Sequence, residues 1–211
     1  MDRPLAPPFD AVDPRDQTRA RIAALWRRDA IDVLALANWK VSTAGAALAE
    51  AVEIAEGEPW PSTDARVAFK RHTATIPADW PLADVRLDLD VGADATVVLH
   101  SRHGIERHRI ARGGSTLAPP TRAFGIQIVA EARDAVASPG TASRPHLGAT
   151  RLLLPPPDAA AELAQLEAEA EAIAGAAAAP PTAATVEERW ASLRTALDAL
   201  EAGGPGSALG G

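Results

Sequence analysis

Apolar positions along this chain change their period twice. In "DPRDQTRARIAALWRRD" Ile22, Leu25 and Trp26 share one face of a helical repeat, with Thr18 above them. That spacing predicts a helix from about Pro14 to Arg28. Asp13 stands in the N-cap position, Pro14 suits a first helical residue whose N–H would be unsatisfied anyway, and Asp16 faces the positive end of the helix dipole. From Ile31 the period shortens. "IDVLALANWKVS" mixes β-branched and Leu residues in partial alternation and reads as a strand. Residues 43–56 fit either a short helix or another strand. "GEPWPSTD" breaks any regular element at Gly57, Pro59 and Pro61.

Short alternating runs follow. "RVAFKRHTATI" ends at Pro77. In "DVRLDLDV" the apolar Val85, Leu87, Leu89 and Val91 alternate with Arg86, Asp88 and Asp90, the pattern of a strand with one wet face. "ATVVLH" and "IERHRI" flank the turn "SRHG", "AFGIQIVAEA" alternates again, and "ATRLLLP" closes the series. Gly92, Gly104, Gly113-Gly114 and Pro119-Pro120 punctuate these runs. Short strands with regular turns predict an antiparallel β-sandwich, jelly-roll-like, over residues 29–156.

After Pro155-Pro156-Pro157 the helical period returns. Leu163, Leu166, Ala170 and Ile173 recur at 3–4 spacing behind an Asp158 cap, with Gly175 as the stop. "TVEE" sets Thr185 and Glu188 as a capping box. Val186, Trp190, Leu193, Leu197 and Leu200 then follow a heptad spacing. The expected architecture is mainly β with flanking α: an arm and helix over 1–28, the sandwich, a helical hairpin over 157–202, and a Gly-rich tail over 203–211.

Composition narrows the chemistry. The chain of 211 residues has no Cys, which removes disulfides, thiolate metal sites and a Cys nucleophile. A net charge of −7 argues against nucleic acid as the default partner. No segment resembles a secretory signal or a membrane span, so the expected location is cytoplasmic, without a membrane partner. Tyr is absent, and five tryptophans carry much of the large apolar content.

The most conspicuous chemistry is "HSRHGIERH", where His100, His103 and His108 fall within nine positions. Zinc needs three or four converging N, S or O ligands. Here the residues occupy a strand end, a turn and a strand, and Arg102, Arg107 and Arg109 would repel a cation. The segment therefore reads as an exposed basic hairpin tip, with no metal. Asp88 and Asp90 lie two apart on one strand face, and Glu167–Glu171 on one helix face. Both read as solvated carboxylates rather than the facing pair that glycosidic cleavage needs. Ser101, Ser115 and Ser138 lack a nucleophile elbow. "RGGS" reads as a tight turn rather than an anion cradle. Trp60 and Trp80 sit among prolines. They suit sugar stacking in principle, but burial of a tryptophan is worth so much that packing is the stronger reading.

The order of elements, with Trp60, the stretch "FKRHTATIPADW" through Phe69, Pro77 and Trp80, "VRLDLDVGADATVVL", "HRI" at His108–Ile110 and "RLLLPPPDAAAELAQL", resembles the N-terminal, non-catalytic region of glycoside hydrolase family 38 α-mannosidases. The resemblance spans roughly residues 14–202. Two departures stand out: "HSRHG" replaces the family's Asp-Gly hairpin, and Ala68 stands where a Trp is usual. The family's zinc motif, of GHxHxD type, has no counterpart here. The resemblance implies an accessory module of a zinc-dependent α-mannoside hydrolase, with no catalytic residues and no cofactor of its own, zinc being expected only in a separate catalytic domain. That catalytic domain would be the partner, in cis or trans. Trp60, Trp80 and His108 are then the expected contacts to carbohydrate or to the neighbouring domain. The alternatives are a stand-alone carbohydrate-binding module and a scaffold that docks or homo-oligomerises through its C-terminal helices.

Overall fold

The computed structural model describes residues 14–43, 51–60, 66–110, 112–131, 145–176 and 183–203. The Pro-rich arm, the Asp13 cap and the Gly-rich tail lie outside these residues. Helix α1 spans Pro14–Asp29, as the periodicity predicts. The run after Ile31 divides into two strands, β1 (Asp32–Ala35) and β2 (Trp39–Thr43), which belong to different sheets. The break falls at Asn38, whose φ of 62° is tolerated by a short polar side chain. The ambiguous Ala- and Glu-rich stretch contains strand β3 (Val52–Ile54). Strands β4 (Arg66–Thr75), β5 (Arg86–Leu89), β6 (Asp94–Ser101) and β7 (Gly104–Ile110) follow. The rest of the chain supplies β8 (Ser115–Leu117), β9 (Ala123–Glu131), β10 (Thr150–Leu154) and the helices α2 (Pro157–Ala176) and α3 (Ala183–Gly203). α3 begins two residues before Thr185, so the expected capping box lies within its first turn.

The strands form two antiparallel sheets, ordered β1-β10-β5-β8 and β3-β2-β4-β9-β6-β7. Alternation packs them face to face. Leu87, Leu89 and Leu152 from the four-stranded sheet meet Val41, Phe69, Val97, Leu99, Ile126 and Ile128 from the six-stranded one, all of them essentially inaccessible. The architecture is thus an antiparallel sandwich flanked by an N-terminal helix and two C-terminal helices packed together.

One expectation fails in an informative way. The polar face of β5 is not wet: all four of its residues are buried. The three helices cover the outer face of the four-stranded sheet and build a second core on it. Ile22, Leu25 and Trp26 of α1 pack with Leu153 of β10, Leu163 and Ile173 of α2, and Trp190, Leu193 and Leu197 of α3. The heptad seam of α3 is therefore filled from within the chain.

Polar strand residues under this helical layer are neutralised one by one. The Arg86 guanidinium lies 4.4 Å from the Trp26 ring centroid and donates to Glu167 at 2.9 Å and to the Ala83 and Val85 carbonyls. Asp88 accepts three hydrogen bonds from Arg27, at 2.7–3.0 Å, with Arg151 of the neighbouring strand 3.8 Å away. Gly114, at φ 88°, leaves room for this pair, since a Cβ there would stand 2.5 Å from the Arg27 guanidinium. The Gly-Gly turn thus serves a close approach of side chain to backbone.

The turn after β5 is equally constrained. Asp90 accepts a hydrogen bond from the Gly92 N–H at 2.8 Å. Gly92 has φ 74°, and a Cβ on it would meet the His146 carbonyl oxygen at 2.8 Å. Gly92→Ala should therefore destabilise the fold by about 1–3 kcal/mol through backbone strain and this contact, which urea denaturation would measure.

Candidate functional site

The six-stranded sheet ends in β7. Among the described residues this strand pairs only with β6, and β8 only with β5, and residues of both strands line one groove. Helices α1 and α2 close the far side. The result is a groove of about 480 Å³. That is a size typical of small-ligand sites.

Its walls are built from four elements. α1 contributes Arg19 and Ile22, and α2 contributes Glu167, Ala170 and Glu171. β7 contributes Arg107, His108 and Arg109, and the β8 segment contributes Ser115, Thr116, Leu117 and Ala118. The two carboxylates are already engaged. Glu167 accepts from Arg86 at 2.9 Å and from the Thr116 hydroxyl at 3.0 Å, and Glu171 accepts from both Nε and Nη2 of Arg19, at 3.1 and 2.7 Å. His108 is different. Its register opposite Val97 turns it toward the inner face of the sheet. Its Nε2 is inaccessible to solvent and has no hydrogen-bond partner, with the Glu106 carboxylate 3.5 Å away.

The three clustered histidines are thereby separated. His108 faces inward, whereas His100, next to the inward-facing Leu99, lies exposed on the other face of the hairpin. His103 is in the exposed turn, where its Nε2 accepts from Arg102 at 3.0 Å. Among the described residues no group of three His, Asp or Glu side chains converges on a metal position.

Neither tryptophan presents a ring to solvent. Trp60 is 1% exposed, donates from Nε1 to the Val91 carbonyl at 3.1 Å, and meets Phe69 edge-on with centroids 5.7 Å apart. Trp80 is 9% exposed and packs in the same core. Of the three contacts expected from sequence, Trp60, Trp80 and His108, only His108 lines the groove. Ser115 had read as part of a tight turn and Glu167 and Glu171 as a solvated helix face, while Arg19 and Thr116 carried no local motif. Arg107 and Arg109 carried a weak one, two arginines on alternate positions of an exposed strand.

No family model matches this chain, and no curated protein matches it. Among solved structures, an FMN-binding β-glucuronidase from Facaelibacterium prausnitzii L2-6 aligns over 59% of this chain and 22% of its own, at 17% identity and a TM-score of 0.41. A GH2 β-galacturonidase from Eisenbergiella tayi, bound to glycerol, aligns over 58% and 24%, at 16% identity and a TM-score of 0.38. The aligned part is less than a quarter of either enzyme. Similarity at this level transfers no activity.

The expected kinship with family 38 α-mannosidases is corrected by these comparisons. Neither of these two structures is an α-mannosidase, and with the family goes the α-mannoside activity it implied. The physical reason is visible in the core. Trp60, Phe69 and Trp80 owe their spacing to packing between two sheets, a demand that any antiparallel sandwich makes on its sequence.

Proposed function

We propose that this chain is a non-catalytic, carbohydrate-binding β-sandwich module, with the groove between β7, β8, α1 and α2 as its binding surface. The observation that carries this reading is the groove itself, about 480 Å³ and walled by hydroxyl-bearing, basic and apolar residues of four elements. The Ser115 and Thr116 hydroxyls, the guanidinium donors and the short apolar floor of Ile22, Leu117 and Ala170 supply what a polyhydroxylated ring needs.

The groove is not built to cleave a glycosidic bond. That chemistry uses one protonated and one free carboxyl group across the scissile bond. Glu167 and Glu171 are both held by arginines instead. A module of this kind serves a catalytic domain that acts on the glycan it holds.

Isothermal titration of the pure chain with oligosaccharides, run beside an aryl-glycoside hydrolysis assay, tests the proposal. Saccharide binding without turnover is expected. Thr116→Ala, which removes a hydroxyl from the groove wall, should weaken that binding by roughly three- to tenfold, the worth of one hydrogen bond. Robust turnover, or failure of every saccharide to bind, would overturn the reading.

A further inference from the structure

We infer that the outer face of the six-stranded sheet docks an acidic amphipathic helix of a partner protein, laid along β9 and β6 between two pairs of cations. This surface is separate from the groove and does not depend on the saccharide reading. The three helices of the chain pack on the other sheet, and no described element covers this one. Every outward residue described on β2, β4, β9 and β6 is accordingly exposed or half-buried. Both lysines of the chain stand on this face, directly opposite each other: Lys40 on β2 and Lys70 on β4. Like charges so placed oppose the pairing of the strands. β7 borders the groove, but Arg107 and Arg109 lie opposite the outward Val98 and Thr96, so their side chains also point to this outer face. None of the four cations pairs with a described carboxylate. The face is thus basic in a chain that carries −7.

Strand register sets the spacing. One row runs from Lys40 through Lys70, Gln127 and Val98 to Arg107. Val129 and Thr96 continue its uncharged middle, and Arg109 its basic edge. Three strand spacings, about 14 Å, separate Lys70 from Arg107. An α-helix with its side chains is about 10–12 Å across, so one helix fits between the lysines and the arginines. Its apolar stripe would cover the half-buried Val98 and Val129, and acids on its two flanks would meet a cation pair on each side. β9, with nine residues, runs about 30 Å, the length of a helix of about 20 residues. A linear polyanion fits less well, because the outward positions of β9 and β6 hold no Lys or Arg. Three acids share the face. Glu53 lies opposite Lys40 at the sheet edge, and Asp94 and Glu131 pair at one end of β6 and β9. Glu131 is engaged by Arg66 at 3.4 Å, and Asp94 accepts from the Arg112 N–H at 3.1 Å.

Fluorescence anisotropy on the full chain tests the inference with three labelled probes: a helical peptide of about 20 residues with a Leu stripe flanked on both sides by Glu, the same stripe flanked by Lys, and an oligouronate with no apolar stripe. Sedimentation of the chain alone runs beside it. The Glu-flanked helix should bind roughly tenfold or more tightly than the Lys-flanked one, and its affinity should fall as salt is added. Lys70→Glu and Arg107→Glu should each weaken it by roughly three- to tenfold, as an ion pair at the rim becomes a like-charge contact. Together they should strengthen binding of the Lys-flanked helix. Lys70→Glu also turns the like-charged pair with Lys40 into an opposite-charged one, so it should melt at or above the wild-type temperature. Equal binding of the two peptides, or no binding of the Glu-flanked one, would overturn the inference. Oligouronate binding as tight as that of the peptide would replace it with a polyanion surface. Salt-sensitive self-association that Lys70→Glu abolishes would give the face to a second copy instead. A Lys70→Glu variant that melts below wild type would show that the lysine serves the fold, and would overturn the argument from its cost.

Discussion

Arg27→Ala is expected to lower the unfolding free energy by about 3–5 kcal/mol at neutral pH, the cost of stranding one member of a buried ion pair. The Asp88 side chain is 0% exposed and takes three hydrogen bonds from Arg27. Without Arg27, the Arg151 guanidinium at 3.8 Å is the cation left beside it. Burial already pushes the Asp88 carboxyl above the usual aspartate range, against the pull of the Arg27 hydrogen bonds. Removing Arg27 removes that pull and raises the carboxyl further. A raised carboxyl binds its proton more tightly in the folded state than in the unfolded one, so the penalty for holding it ionised is relieved as pH falls through its folded value. The stability gap between wild type and Arg27→Ala should therefore narrow in acid, as measured by urea denaturation at a series of pH values. Asp88→Asn in the Arg27→Ala background should recover part of the loss at neutral pH. A gap that stays constant with pH would show that lost packing, not the stranded charge, sets the cost.

Trp60→Ala is expected to cost about 3–5 kcal/mol, which for a domain of this size lowers the melting temperature by roughly 10 °C. The ring fills the core against Phe69, and its indole N–H satisfies the Val91 carbonyl. The backbone around it also joins distant segments: Trp60 N–H donates to the Pro145 carbonyl, and Pro59 bridges to His146. Truncation would open a cavity and orphan a carbonyl at that junction. Thermal unfolding reports the loss directly. Saccharide binding of the surviving folded fraction should match wild type, because Trp60 does not line the groove.

Much of the architecture was legible before any coordinates. Ile22, Leu25 and Trp26 marked α1, Val97 and Leu99 marked the inward face of β6, and Leu163, Leu166 and Ile173 marked the packed face of α2. Each rests on a local rule, since the period of apolar residues must match the period of the backbone that presents them. β8 escaped notice because three residues are too few to show a period. The division of "IDVLALANWKVS" between two sheets escaped because alternation does not reveal which sheet a strand joins.

The candidate site was far less legible. Sequence singled out His108 by its crowding with His100 and His103, a relation that the strand register then dissolved. It also placed Arg86 and Asp88 on a face open to water. The alternation of β5 was correct, but what covers its polar face is a question of tertiary packing, and the answer is Trp26, Arg27 and Glu167, from 60 to 81 positions away. The sequence by itself determined which residues form helices and strands and which strand faces are apolar, because those properties depend on neighbours a few positions apart. Only the tertiary structure decided that a polar strand face becomes a buried layer of ion pairs, that the tryptophans serve the core, and that Arg107, His108 and Arg109 border a groove with Ser115, Thr116, Glu167 and Glu171. Each of those outcomes requires separate elements to meet in space, and the local spacing of residues carries no record of that meeting.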